Sequence, residues 1–309
     1  MKAQNLFFRW SIVISMFFLF STIASAEVKL PNIFSDHMVL QQGKKVNVWG
    51  TAAPEERVTM KFAKQTVRAV ANAEGRWQVQ LSPLAASVKP QTLTVKGKTN
   101  KVTFRNVLVG EVWLASGQSN MEYSMNKQPQ YAPPKKASRG HEVFERTVSM
   151  PDTLKYEFLT ASDPLIRVLY VDKNLKTDTL PTTGWHPADT TSLAPVSAAG
   201  YFFAKRLVKD LGIPVGIISS SWGGSPIEHW IPLEDCQKVP ILASQLKNGR
   251  IDGKPVGMRY DKMIRPIVPY TMRGFLWYQG ETNLIEGDME IYADKQRTLI
   301  SAWRRLWND

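Results

Sequence analysis

A single cysteine, Cys236, stands in 309 residues, so no internal disulfide is possible and stability has to come from packing. With no His placed to activate it, Cys236 reads as a small buried or half-buried hydrophobe, not a nucleophile. Histidine is scarce as well, with four in the chain. No His/Asp/Glu cluster has metal-ligand spacing, so no metal or other cofactor is expected and a metal hydrolase is disfavoured. After residue 26 no run is apolar enough to span a bilayer. Basic residues are scattered among acids; the one concentration, Lys135-Lys136-Ala137-Ser138-Arg139, is too short for a nucleic-acid groove. Internal repeats and low-complexity tracts are also missing.

What is present is an ordinary globular composition: 43% hydrophobic, 21% charged, with 10 Trp, 13 Phe and 9 Tyr, enough for a sizeable core in one or two domains. The first 26 residues stand apart. Lys2 and Arg9 form a positive n-region, Ile12 to Phe20 an apolar stretch, and Ala24-Ser25-Ala26 a small-residue cleavage site. This reads as a cleavable signal peptide and a secreted or periplasmic protein. Removing Lys2 and Arg9 leaves 37 basic against 27 acidic residues, a net charge of about +10, which suits a solvated surface or attraction to acidic glycans.

The rest divides into two grammars. From Val46 to about Val107, short alternating runs (Val46–Trp49, Val58–Phe62, Thr66–Ala71, Trp77–Leu81, Leu93–Val95, Val102–Phe104) are separated by turn signals such as Asn72-Ala73-Glu74-Gly75. They predict a small β-sandwich domain over 27–107. Beyond it, Glu111–Ala115, Ile166–Val171, Val215–Ser220 and Gly274–Tyr278 are nearly continuous apolar runs, the pattern of strands covered on both faces. Helical spacing follows at Ala198–Leu211, stopped by Gly212 and Pro214, and at Ile291–Trp307. The fold class is therefore α/β, with a parallel sheet carrying helices on both faces over 108–309. Met125–Ser162 interrupts the rhythm with prolines and mixed charge and reads as an insertion near the mouth of the site.

Ligands of parallel sheets bind beyond the carboxyl ends of the strands. Three strand ends here carry matching chemistry: Ser116-Gly117-Gln118-Ser119-Asn120-Met121-Glu122, Ser221-Trp222-Gly223-Gly224-Ser225, and Gln279-Gly280-Glu281-Thr282-Asn283. A serine on a tight turn opening a helix can present its hydroxyl. Backbone N–H groups at that turn and at Gly224, with an Asn amide, can receive a developing oxyanion. Trp222 and Trp230 flank the glycine turn, with sugar stacking and ordinary packing both open.

In these motifs, and in Phe34-Ser35-Asp36-His37-Met38-Val39-Leu40-Gln41 and Val109-Gly110-Glu111-Val112-Trp113-Leu114, the chain resembles the sialate O-acetylesterase-like branch of the SGNH (GDSL-type) hydrolases. The resemblance implies removal of O-acetyl groups from sugars or glycans, with sialic acid, xylan and other hemicelluloses open as substrates. It makes Ser119 the nucleophile and puts its own N–H, the N–H of Gly224 and the side chain of Asn283 in the oxyanion hole. Gln118, Gly223, Gln279, Glu281 and His229 would line or order the substrate site. The family's general base is a His in an Asp-x-x-His block after a further strand. No such block occurs before Asp309, so the chain reads as C-terminally truncated, with a non-catalytic carbohydrate-binding remnant as the alternative. His37 reads as structural, His141 as solvated, and His186, before Pro187-Ala188-Asp189, as a weak substitute base. His229 is better placed to touch substrate than to act as the base.

Overall fold

A computed structural model describes residues 27–130, 157–176, 179–288 and 290–308. The signal-peptide reading of 1–26, His141, and most of the insertion expected from Met125 to Ser162 lie outside the described residues. Among the described residues no helix is long and apolar enough to cross a membrane.

Strands β1 (Val39–Gln41), β2 (Val46–Thr51), β3 (Arg57–Phe62), β4 (Gln65–Val70), β5 (Arg76–Leu81) and β6 (Ser87–Lys96) build the first half. Alternation explains them. In β3, Val58, Met60 and Phe62 are buried, in β5 Trp77, Val79 and Leu81, while the intervening residues face outward. One inward row per strand is what a strand needs to close a core on one side only. β4 has no fully buried row and takes the edge position beside β3.

The two halves share a strand. β7 runs from Lys101 to Gly117 without a break; its first six residues are half-buried or exposed and its last eleven are almost all buried. Its first part pairs antiparallel with β6, while Leu108, Val109 and Gly110 pair parallel with β1. Its second part is the centre of the α/β sheet, flanked in parallel by β10 (Val215–Ser221) and β13 (Gly274–Tyr278). Beyond β10 lies β8 (Ser162–Tyr170), also parallel, and then β9 (Trp185–Asp189), antiparallel at the edge. The short β1 and the antiparallel β9 escape the sequence pattern because neither carries a long apolar run.

Helices cover the sheet. Helix α1 (Ser119–Glu122) follows β7, α2 (Ala198–Leu211) precedes β10, and α3 (Glu281–Ile285) and α4 (Tyr292–Trp307) follow β13. The predicted Ala198–Leu211 is found with those bounds, capped by Ser197 Oγ accepting from Gly200 N and closed by Gly212 at φ +64°, the usual start and stop of a helix. α2 packs with Met121, Ile166, Val168 and Ile217 in one core; Trp230, Trp303, Ile264 and the sandwich residues form the other. β10 is buried along its whole length, as expected of a strand between two cores. Cys236 is fully buried, and burial pushes its thiol up to about 12, so it is an inert core residue.

Candidate active site

Sheet register brings the three motifs together. Ser221 and Tyr278 are both paired with Gly117, so the loops after β10, β7 and β13 leave the sheet side by side at the same level. Adjacent strands lie about 4.8 Å apart, which sets loops far apart in sequence within a side chain's length of each other. Gly117 makes the turn possible: at φ +140°, a Cβ there would lie 2.0 Å from Tyr278 O. Gln118 N donates to that same carbonyl at 2.9 Å, and Trp222 N donates to Gly117 O at 3.0 Å.

Ser119 opens α1 exposed to solvent. A Cβ placed on Gly223 would sit 3.7 Å from Ser119 Cβ and 3.0 Å from Glu122 Oε2, so the glycine turn lies directly against the serine. Gly223 N–H is taken by Glu122 Oε2, and Glu122 Oε1 accepts from Lys173 Nζ, a residue of the loop after β8. Gly224, at φ +67° with open space where a Cβ would be, keeps its N–H without an acceptor among the described residues, as does Ser119. Two backbone donors and a hydroxyl thus remain available at one place.

The amide side chains are used differently from the sequence expectation. Gln118, 3% exposed, accepts on Oε1 from Gln279 Nε2 at 3.1 Å and from Thr282 N at 3.1 Å. Gln279 Nε2 also reaches Asn283 Oδ1 at 2.8 Å, and Gln279 Oε1 accepts from Tyr292 OH at 2.8 Å. These two glutamines lock the first loop to the third instead of facing a ligand. Asn283 is fully buried. Its Oδ1 accepts from Ile227 N at 3.0 Å, and its Nδ2 donates to Glu228 Oε2 and to Asp288 Oδ2, both at 3.0 Å. With both amide hydrogens engaged, Asn283 is not an oxyanion donor here; it ties the second loop to the third. Glu281 accepts on Oε1 from Asn120 Nδ2, while its Oε2 is buried without a partner.

Beneath Asn283 lies a charge network that the sequence spacing hid. Glu228, Asp252 and Asp288 bring carboxylate oxygens within 4.8 Å of one another, a metal-like arrangement. Lys295 Nζ serves as the cation: it is 2.6 Å from Glu228 Oε1, bonded to Asp288 Oδ2, and 3.6 Å from Asp252 Oδ2. Lys254 adds a second ammonium, 3.0 Å from Asp288 Oδ2. Burial pushes the Glu228 carboxyl up. Burial acts the same way on Asp288, but hydrogen bonds with Lys295, Glu228, Lys254 and Asn283 reverse it and hold that carboxyl well below its ordinary range. One signal could have exposed Lys295: it stands in the buried stripe of α4 with Leu299, Ala302 and Trp303, where a lysine needs a partner.

The histidines are dispersed. His37 Nδ1 faces Asn106 Nδ2 at 2.8 Å and Arg167 Nη1 at 3.3 Å, a structural setting as expected. His186 sits exposed on β9, with Nε2 3.1 Å from Thr183 Oγ1. His229, half-buried in the turn Ile227–Trp230, has its Nδ1 buried without a partner. Burial first, then the positive charge of Arg259, lowers its pKa to about 4, so its ring is neutral at pH 7. None of these is hydrogen-bonded to Ser119. Trp230 is a core residue, with Nε1 donating to Ser225 Oγ at 2.9 Å and its ring edge-on to Trp277. Trp222 is half-buried, with the Arg259 guanidinium 3.4 Å from its ring centroid.

Known proteins resemble this chain over most of its length. Residues 109–308 match the family model of carbohydrate esterases described as sialic acid-specific acetylesterase. The human sialate O-acetylesterase is 26% identical over 299 residues, covering 91% of this chain and 53% of its own length; the mouse protein of that name is 24% identical over 346 residues, covering 97% and 60%. The chain spans about half the length of the curated relatives it matches. Among solved structures, a carbohydrate acetylesterase from Xanthomonas citri superposes with a TM-score of 0.72 at 31% identity, over 91% of this chain and 58% of that one. The chain belongs to this carbohydrate esterase family.

Proposed function

We propose, from that membership and from the exposed hydroxyl of Ser119 beside the Gly223-Gly224 turn, that this protein removes O-acetyl groups from sugars by serine catalysis. Ser119 Oγ attacks the acetyl carbonyl carbon, and the carbonyl oxygen, now negative, is received by the N–H groups of Ser119 and Gly224. Each well-placed donor of this kind lowers the barrier by about 3 kcal/mol. The sugar oxygen leaves with a proton, and water then releases acetate from the acetylated serine. The observation that carries this reading is the 3.7 Å approach of the Gly223 position to Ser119 Cβ, beside two N–H groups without acceptors.

The experiment is acetate release from O-acetylated sugars with and without Ser119→Ala. Turnover that disappears in the variant supports the reading; turnover that survives refutes it. A second reading rests on Ser119 Oγ having no histidine bonded to it among the described residues: the 309 residues bind acetylated sugar without hydrolysing it. Binding together with no Ser119-dependent acetate release would favour that alternative. On the strength of residues 1–26 we place the protein outside the cytoplasm, and N-terminal sequencing of exported protein, expected to begin at Glu27, tests this.

A further inference from the structure

A basic groove runs between the β2/β5 ribbon and segment 265–275, apart from the three loops around Ser119. In the ribbon Val46, Val48, Trp77, Val79 and Leu81 are buried, and the alternate row, Asn47, Trp49 and Thr51 paired with Gln80, Gln78 and Arg76, forms the other face. Asn47 joins this face to the opposite wall, its N–H donating to Thr271 Oγ1 at 3.0 Å and its Nδ2 to Pro269 O at 3.2 Å. On either side of the tie lies a hollow, one of about 860 Å³ and one of about 400 Å³, and Gln78 lines both. From Lys45 to Thr51 the ribbon extends about 20 Å, room for several sugar units in a row. No lining residue belongs to the loops around Ser119. Gly274, in the smaller hollow, pairs with Trp113, four residues before Gly117, which sets that hollow about 13 Å along the strands from the level where those loops leave the sheet.

The groove carries charge of one sign. Lys29, Arg76 and Arg265 line the larger hollow and Lys44, Lys45 and Arg273 the smaller, and neither lining contains an aspartate or glutamate, although the chain holds 27 acidic residues. Among the described residues Lys29, Lys45 and Arg76 form no ion pair, and Arg265 and Arg273 have long ones, 3.5 Å to Asp261 and 3.7 Å to Glu111. Walls of low dielectric focus the field of such a cluster and draw an anion in. The rest of the lining suits a sugar chain. Trp49 and Trp307 supply half-buried indoles for the apolar faces of sugar rings. Gln78 and Gln80 each donate Nε2 to Asn47 Oδ1, which leaves their side-chain carbonyls to accept from hydroxyls. The forks of Arg76, Arg265 and Arg273 match carboxylates in bidentate fashion.

We propose that this groove binds an extended polysaccharide bearing carboxylates along its length, holding the polymer at a site separate from the one where Ser119 lies. Such binding requires nothing of Ser119.

The test is calorimetric affinity of the 309-residue protein for polygalacturonate, for the same polymer with its carboxyls methyl-esterified, and for single-stranded DNA. Polygalacturonate is expected to bind, more weakly as salt is added, and at least about 10-fold more tightly than its methyl ester. Lys45→Gln combined with Arg76→Gln should weaken it by about 10-fold. Lys101→Gln combined with Lys209→Gln, which lowers the net charge equally outside the groove, should leave it unchanged, as should Ser119→Ala. All four basic side chains are exposed, so their replacement leaves the fold intact. Absence of polygalacturonate binding, equal affinities for acid and ester, or tighter binding of DNA overturns the proposal. So does equal weakening by the two double variants, the mark of unspecific charge attraction, or loss of binding in Ser119→Ala, which would put the polymer at the three loops instead.

Discussion

Replacing Lys295 by methionine keeps most of the apolar stem and removes the ammonium with its charge and its hydrogen bonds to Glu228 and Asp288. The ammonium is fully buried and stands between Glu228, also fully buried, and Asp288. Lys254 remains 3.0 Å from Asp288 but 3.9 Å from Glu228, so Glu228 is the carboxylate left stranded. Removing one partner of a buried pair costs about 3–5 kcal/mol. For 309 residues, an unfolding entropy of ~2.1 cal/mol/K per residue is about 0.65 kcal/mol/K, so the melting temperature should fall by about 5–8 °C. The assay is thermal unfolding at neutral pH of the unaltered protein, Lys295→Met, Glu228→Gln and the double variant. Because glutamine needs no counter-charge, the double variant should be more stable than Lys295→Met alone. A fall under about 1 °C, or a double variant no better than the single, would refute the claim that the lysine neutralises this cluster.

Further outcomes follow from the same geometry. Gly117→Ala should cost about 2–5 kcal/mol, because it combines a strained φ with a Cβ driven onto the Tyr278 carbonyl and loss of the Gln118 N–H bond to it; chemical denaturation reads it, and a cost below about 1 kcal/mol contradicts the fit. His229 has its folded pKa lowered to about 4, so below its ordinary value of ~6.5 the unfolded chain gains a proton that the folded one refuses. The contribution of His229 to stability should therefore decline as pH falls from about 6.5 to about 4, by on the order of 3 kcal/mol, and stay constant below. His229→Gln should flatten that limb, and a pH–stability curve identical to the unaltered protein's would rule the histidine out. Ser119→Ala, at an exposed hydroxyl with no hydrogen bond, should leave stability within about 0.5 kcal/mol, so a larger drop would mean that the serine is structural.

Much of the fold was legible because its elements obey simple periods. The alternation of Val58, Met60 and Phe62 or of Trp77, Val79 and Leu81 marks a one-sided strand, and the run Val215–Ser220 marks a two-sided one. The three loops were legible for the same reason, since each follows an apolar strand and breaks it with glycine. Strand β7 runs without a break through the boundary expected near 107, changing there from half-exposed to buried. What stayed hidden was which polar groups satisfy each other. Asn283 and Gln279 have the chemistry of ligand-facing amides, and only coordinates show that Glu228, Asp288, Gln118 and Tyr292 claim them first. Lys295 meets Glu228 across 67 residues and Lys254 meets Asp288 across 34, separations no local pattern reports.

The location of the site follows from what that mutual satisfaction leaves over. Parallel register sets the three loops level, but level loops of this polarity would compete for many arrangements if their donors and acceptors were free. Gln118 fixes the first loop to the third, Asn283 the third to the second, and Glu122 the second back to the first while reaching Lys173 from a fourth strand. Each tie consumes hydrogen-bonding groups in a place where unpaired ones are costly. After this closure, the groups that keep capacity at the mouth include, among the described residues, the Ser119 hydroxyl and the N–H groups of Ser119 and Gly224. Under the proposed esterase reading these would be a nucleophile and two oxyanion donors, so the same interactions that make the loops rigid would leave them fixed in place before substrate arrives, which is how a site lowers a barrier without reorganising during the reaction.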